Sequence, residues 1–218
     1  MVKRTYFIVS LLAALTLKAQ DFNDDAALWL SFKLEKKLGN GLSAYVKHQS
    51  RFNENMTAYG LSYLDLGASF KINKLIKLYG GAVLSRKDPF YELYQNRQRY
   101  YFSINLKHDI KKFELSFRNQ TQLQIKQQSG LEYEIYNRNK LGIDYEVNKR
   151  ISLNLSQEVY LPLNDPEGYF IDRSRTTIGA AYKIRKGHSL EPYFLYQFRM
   201  VSSTDRDFIY GINYAINF

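Results

Sequence analysis

Residues 207–218 read Asp-Phe-Ile-Tyr-Gly-Ile-Asn-Tyr-Ala-Ile-Asn-Phe. Phe208, Tyr210, Ile212, Tyr214, Ile216 and the terminal Phe218 share one face, and Ile209, Gly211, Asn213, Ala215 and Asn217 share the other. A period of two is the signature of a half-buried strand, because successive side chains of extended backbone point to opposite sides. A chain that ends in such a strand, on an aromatic residue, sets the terms for everything upstream of it.

The same period runs through the rest of the sequence. Ile151, Leu153, Leu155, Val159 and Leu161 oppose Ser152, Asn154, Ser156, Glu158 and Tyr160. Leu131, Tyr133, Ile135, Leu141, Ile143, Tyr145 and Val147 oppose Glu132, Glu134, Arg138, Lys140, Asp144 and Glu146. Eleven such runs occur: 26–38, 42–52, 58–72, 76–86, 91–109, 112–127, 131–147, 151–162, 168–184, 188–201 and 207–218. Strands of soluble folds average about 5–6 residues. These are longer, and a tilted strand of about 9–11 residues crosses a bilayer. Long strands joined hairpin to hairpin predict an all-β, antiparallel up-and-down transmembrane barrel.

Residues 1–19 read as a secretory signal: basic Lys3 and Arg4, an apolar run Tyr6–Leu17, then Ala19 before the acidic stretch that starts at Asp21. A transmembrane anchor is the other reading of that run, but about 12 residues fall short of the roughly 20 a helical span needs. Cleavage is expected near Ala19, leaving residues 20–218 as one barrel in the bacterial outer membrane. The chain carries a net charge of +10, and residues 20–218 carry +7. It has no cysteine, which excludes a disulfide scaffold, a thiolate metal site and a lipoprotein anchor. Three histidines without ligand spacing predict no metal site, and no cofactor is expected. Positive charge spread over turns such as Lys36, Lys37, Lys74, Lys77, Lys111, Lys112, Lys149, Arg150, Lys183, Arg185 and Lys186 argues against nucleic-acid binding. It favours contact with lipid headgroups.

The breaks between runs alternate short and long, as periplasmic turns and external loops do. That alternation sends both the last run and the first run inward. Eleven runs then conflict with the even strand number of bacterial barrels, so 10 or 12 strands are expected. The terminal strand, with Tyr214, Ile216 and Phe218, resembles the signal read by the barrel-assembly machinery, which is the expected partner in biogenesis. The ensemble resembles the uncharacterised outer-membrane barrels grouped as domain of unknown function 2490. The residues that carry this are Trp29, Lys37-Leu38, Arg51-Phe52 and Asn96-Arg97-Gln98-Arg99-Tyr100. The resemblance implies an outer-membrane barrel and supplies no activity.

Parity places a charge network in the lumen: Arg97, Arg99, Glu114, Arg118, Glu132, Glu134, Arg138, Glu158, Arg173, Arg175, Glu191 and Arg199, with Lys47, Arg51 and Asp65 on the same face. Two outcomes are open. Salt bridges plug a narrow barrel as a structural element of the envelope, or an arginine-rich constriction passes small solutes, anions by preference. An enzymatic alternative rests on His48-Gln49-Ser50, similar to the His-x-Ser of outer-membrane phospholipase A. His48 as base and Ser50 as nucleophile would face lipid, with Asn53 or Asn55 to orient the ring. That family's Asn-Gly after the serine is replaced here by Arg51-Phe52.

Overall fold

In the computed structural model, the described residues are 24–87, 95–127, 131–166, 170–200 and 206–218. Residues 1–23, which include the expected signal 1–19, and the tips of four long loops lie outside them. Eleven strands follow in order: β1 (Asp24–Gly39), β2 (Leu42–Asn53), β3 (Ala58–Lys71), β4 (Ile76–Lys87), β5 (Gln95–Ile110), β6 (Phe113–Gln127), β7 (Leu131–Glu146), β8 (Ile151–Pro162), β9 (Arg173–Arg185), β10 (His188–Arg199) and β11 (Arg206–Asn217). Each pairs with its sequence neighbour, and β1 pairs with β11 to close the barrel.

That closure corrects the expectation of 10 or 12 strands. Among the described residues the wall has eleven, because β1 and β11 run parallel, in register from Asp24↔Arg206 to Glu35↔Asn217. Every other pairing is antiparallel. The even-number rule holds only when the last pair is antiparallel as well; a parallel seam removes the conflict. The seam keeps the inside–outside alternation, since Trp29 lies opposite Gly211 and Phe32 opposite Tyr214. The ninth run is also trimmed, as β9 begins at Arg173 and not at residue 168.

Short turns follow local chemistry. The Asn73 side chain accepts from the backbone N–H groups of Leu75 and Ile76, both at 2.8 Å, and Asn148 does the same for Arg150 and Ile151 at 2.9 and 3.0 Å. These are side-chain mimics of a backbone turn. Between β9 and β10, Gly187 sits at φ +78°, where a side chain would be strained.

The distribution of apolar groups is inverted relative to a water-soluble barrel. Leu30, Phe32 and Leu34 on β1, Leu64, Leu66 and Phe70 on β3, Phe102 on β5 and Leu153 and Leu155 on β8 are exposed on the outer wall. The buried groups face inward and include Gln49, Gln120, Gln122, Gln124, Gln197 and Glu158. Periodicity alone left the inside open; the closed sheet puts the charged rows within it. Such a wall is satisfied by hydrocarbon, where every backbone polar group must be paired inside the sheet. Phe113 and Tyr145 at the short-turn rim, with rings 4.9 Å apart, belong to the aromatic belt such a wall carries.

Candidate functional site: the charged lumen

The lumen holds a cavity of about 790 Å³, lined by eleven Lys and Arg and six Asp and Glu. Its centre is organised by Glu158 on β8. Arg138 donates to it through Nη2 at 2.9 and 3.0 Å and through Nε at 3.2 Å, and Arg118 reaches the same Oε1 at 2.5 Å. Tyr160, one pleat along β8, donates to Glu158 Oε2 at 3.3 Å. One carboxylate thus serves two guanidiniums and a phenol.

Two aromatic rings anchor the arginines around it. The guanidinium carbon of Arg138 lies 4.4 Å from the Tyr160 ring centre, that of Arg175 4.9 Å and that of Arg173 5.2 Å. Across the barrel Arg51 lies 3.7 Å over Trp29, and Arg175 approaches the same ring at 5.4 Å. A cation over an aromatic face is attracted by the ring quadrupole and held flat. Gln49 accepts from Nε and Nη2 of Arg51, both at 3.1 Å, and Gln197 accepts from Nε of Arg175 at 2.7 Å. Arg175 also donates to the Tyr160 hydroxyl at 2.5 Å, and Arg99 donates to Gln124 at 2.7 Å.

The predicted lumen residues sort into three groups. Arg97, Arg99, Arg118, Glu134, Arg138, Glu158, Arg173, Arg175, Glu191 and Arg199 line the cavity. Glu114 is paired with Lys107 near the short-turn rim, and Glu132 is exposed toward the long-loop end of β7. The ion pairs are fewer than alternating rows imply. Lys126 pairs with Glu134, Arg173 with Asp172 at 3.5 Å and Arg199 with Asp207 at 3.5 Å. Glu191 is held by amides instead, accepting from Asn154 at 2.7 Å and Asn213 at 3.2 Å. Lys77, read as a turn residue, faces the lumen and pairs with Glu35 at 3.4 Å.

Sequence reasoning missed the ring anchors Trp29 and Tyr160 and the glutamines that fix the guanidinium planes. Their inward parity was available, but their contacts depend on which strands closure brings together. A lipid-facing feature was also missed. Asn119 donates to Asn137 at 3.1 Å and to Asn139 at 2.8 Å, and Asn137 donates to Thr121 at 3.2 Å, on the outer face of β6 and β7. These amides satisfy one another sideways where lipid offers no partner.

The His48–Ser50 pair faces outward, as parity requires, but the ring meets a different hydroxyl. His48 Nε2 lies 2.8 Å from Ser62 Oγ on β3. Ser50 stands directly opposite Ser62 across the β2–β3 ladder. The Asn55 backbone N–H donates to Asp25 instead, at 2.9 Å, and the Asn53 side chain lies against Gly60. Among the described residues no group of three His, Asp or Glu could hold a metal ion.

A closed, inside-out sheet with a wet, charged interior defines a β-barrel of the outer-membrane type. The chain belongs to the family described as protein of unknown function (DUF2490), whose model matches residues 26–207. Among solved structures it is similar to a NanC porin structure at 10% identity and a TM-score of 0.51, covering 79% of this chain and 86% of that one. It also aligns with the translocator domain of the autotransporter NalP from Neisseria meningitidis, at 11% identity and a TM-score of 0.49, over 74% and 71% of the two chains. No curated protein matches the sequence.

Proposed function

We propose that this protein is exported with residues 1–19 as its signal, is cut near Ala19 and resides in the outer membrane, where its lumen passes small anionic solutes. The observation that carries this reading is the excess of cations over carboxylates lining a cavity roomy enough for water and small solutes. Rings of arginine favour anions because a narrow, low-dielectric conduit magnifies their field. Similarity in fold to a porin agrees with it. The basic cleft at the short-turn rim, built from Lys149, Arg150, Lys183, Arg185 and Lys186, suits anionic lipid headgroups.

In a planar bilayer the purified barrel is expected to conduct with anion preference. Arg97→Glu together with Arg99→Glu should move the reversal potential toward cation preference. Silence of a correctly folded preparation would favour the structural plug, in which the Glu158 network blocks the bore.

The C-terminal signal takes a second meaning from the seam. The Phe218 backbone N–H donates to Glu35 at 2.9 Å, and its carbonyl accepts from Lys37 at 3.2 Å, while the ring stays exposed. Deleting Phe218 removes two seam hydrogen bonds, worth about 1 kcal/mol each, and the exposed ring we assign to the assembly machinery. Outer-membrane yield is expected to fall at least severalfold. Phe218→Ala, which keeps both backbone bonds, separates the contributions: low yield with unchanged unfolding of the purified barrel marks the ring as the recognised group, and normal yield removes that role.

A further inference from the structure

Three arginines in the lumen have no carboxylate partner. Among the described residues, no Asp or Glu oxygen lies within 4.0 Å of the guanidiniums of Arg51, Arg99 or Arg175. Glu158 is spent on Arg118 and Arg138. The three cations come from β2, β5 and β9, and their charges repel one another across the cavity. Nε of Arg99 is buried without a hydrogen-bond partner. Arg51 hydrogen-bonds through Nε and Nη2, and Arg175 through Nε and Nη1. Folding has therefore set three guanidiniums around one space with no described carboxylate in direct contact, the field of Glu158 reaching Arg175 and that of Asp65 reaching Arg99 only from a distance.

The planes of Arg51 and Arg175 are held in place. Trp29 stacks on Arg51 and contacts Arg175, and the glutamine acceptors lock both forks. A preset guanidinium fork matches a carboxylate or phosphate in two parallel hydrogen bonds and loses little freedom on binding. Beside the rings lies an apolar patch formed by Ala27, Trp29, Leu195 and Ile209, with Tyr193 packed on it. These four residues also line the cavity. This cluster packs the wall where β1, β10 and β11 adjoin, and its cavity-facing rim at Ala27, Trp29 and Leu195 offers apolar contact to the hydrocarbon body of an organic anion.

We infer that Arg51 and Arg175 at Trp29, with Arg99 lining the same cavity, form a discrete binding station for the carboxylate or phosphate head of a small organic anion, whose carbon skeleton rests against the rim formed by Ala27, Trp29 and Leu195. The inference rests on reading the lumen as a passage for small anions and gives that passage a saturable site. Transport through it saturates with solute concentration, and a tightly held anion blocks other ions.

Trp29 is the only tryptophan of the chain, so its emission reports on this site alone. Detergent-solubilised barrel is titrated with sodium butanoate, with inorganic phosphate and with 1-butanol, ionic strength being held constant with sodium chloride. Both anions are expected to change Trp29 emission saturably, butanoate at the lower concentration, and butanol not at all. Arg51→Gln and Arg175→Gln should each raise the half-saturating concentration at least tenfold. Lys107→Gln, whose partner Glu114 lies near the short-turn rim away from the cavity lining, should leave it within about twofold, a factor of ten being about 1.4 kcal/mol. Heat-modifiable gel migration confirms that each variant is folded. An unsaturable response in the native barrel, or equal half-saturation in folded Arg51→Gln and Arg175→Gln, overturns the station. Conductance of the same preparation separates the two readings. A barrel that conducts while Trp29 ignores both anions keeps the passage and loses the station; a silent barrel whose Trp29 titrates keeps the station and loses the passage.

Discussion

Replacing Glu158 by Gln is expected to destabilise the barrel by about 3 kcal/mol, the low end for breaking a buried ion pair. Glu158 is 6% exposed and is the shared acceptor of Arg118 and Arg138. The amide keeps one acceptor oxygen but removes the charge, leaving two guanidiniums facing each other beside Arg175. The low end applies because the lumen admits water, which screens part of the exposed repulsion. Urea unfolding in detergent or lipid vesicles would read the loss as a lower midpoint at unchanged slope. Adding Arg138→Met to Glu158→Gln should recover part of it, since one unpaired cation is then gone. That recovery is the coupling a double-mutant cycle isolates. A single Gln variant within 0.5 kcal/mol of the native barrel would show that Glu158 organises nothing.

Two neighbouring glycines on β4 should respond in opposite ways to the same substitution. Gly81 faces the lumen, and a Cβ built on it would lie 2.6 Å from the Leu66 carbonyl oxygen and 2.6 Å from the Tyr101 hydroxyl. The carbonyl belongs to the backbone of β3 and cannot move without disturbing the sheet. The Tyr101 hydroxyl is committed as well, donating to Asp65 at 2.8 Å and touching the Tyr45 hydroxyl. Gly81→Ala is therefore expected to cost about 3 kcal/mol through overpacking. Gly80 points outward, and the nearest atom to its added Cβ is the Tyr101 carbonyl at an ordinary 3.7 Å. Gly80→Ala is expected to be neutral or to stabilise by up to about 1 kcal/mol, because it removes freedom from the unfolded chain. Unfolding midpoints of the two variants measured side by side check the contrast; equal midpoints would contradict it.

Local pattern carried most of the wall. The alternation in Leu131–Val147 and Ile151–Leu161 identified β7 and β8 and their inward rows, because the period of a strand is a property of each segment by itself. Partnership across the barrel is not such a property. Nothing within residues 24–39 or 206–217 says that these two segments meet in parallel, so the strand number came out even in expectation and odd in the fold. The same gap explains the site. Arg175 was placed in the lumen by parity, yet its approach to Trp29 of β1 exists only because β9, β10, β11 and β1 lie side by side. His48 was matched with Ser50 two residues on. The hydroxyl it meets, Ser62, is set by the register of β2 on β3. Glu191 likewise carried the right face and the wrong partner, since the amide of Asn213 reached it from the adjacent β11 and that of Asn154 from β8, two strands away.

The parallel seam also dictates a folding order. Ser31 and Asn213, hydrogen-bonded across it, are 182 residues apart in the chain. Every other strand pair is linked by a single turn or loop and forms after a short search. The seam alone must close the whole chain into a ring, and closure entropy grows with the length enclosed. Ordered hairpins therefore precede it, and pairing of β1 with β11 is the slow, final event, as contact order requires of the most distant contact. Until it occurs the chain is an open sheet with two unpaired edges, each a template for pairing with another molecule. Interrupted closure leads to intermolecular sheet growth, and the time spent open sets how much of the chain is lost to it.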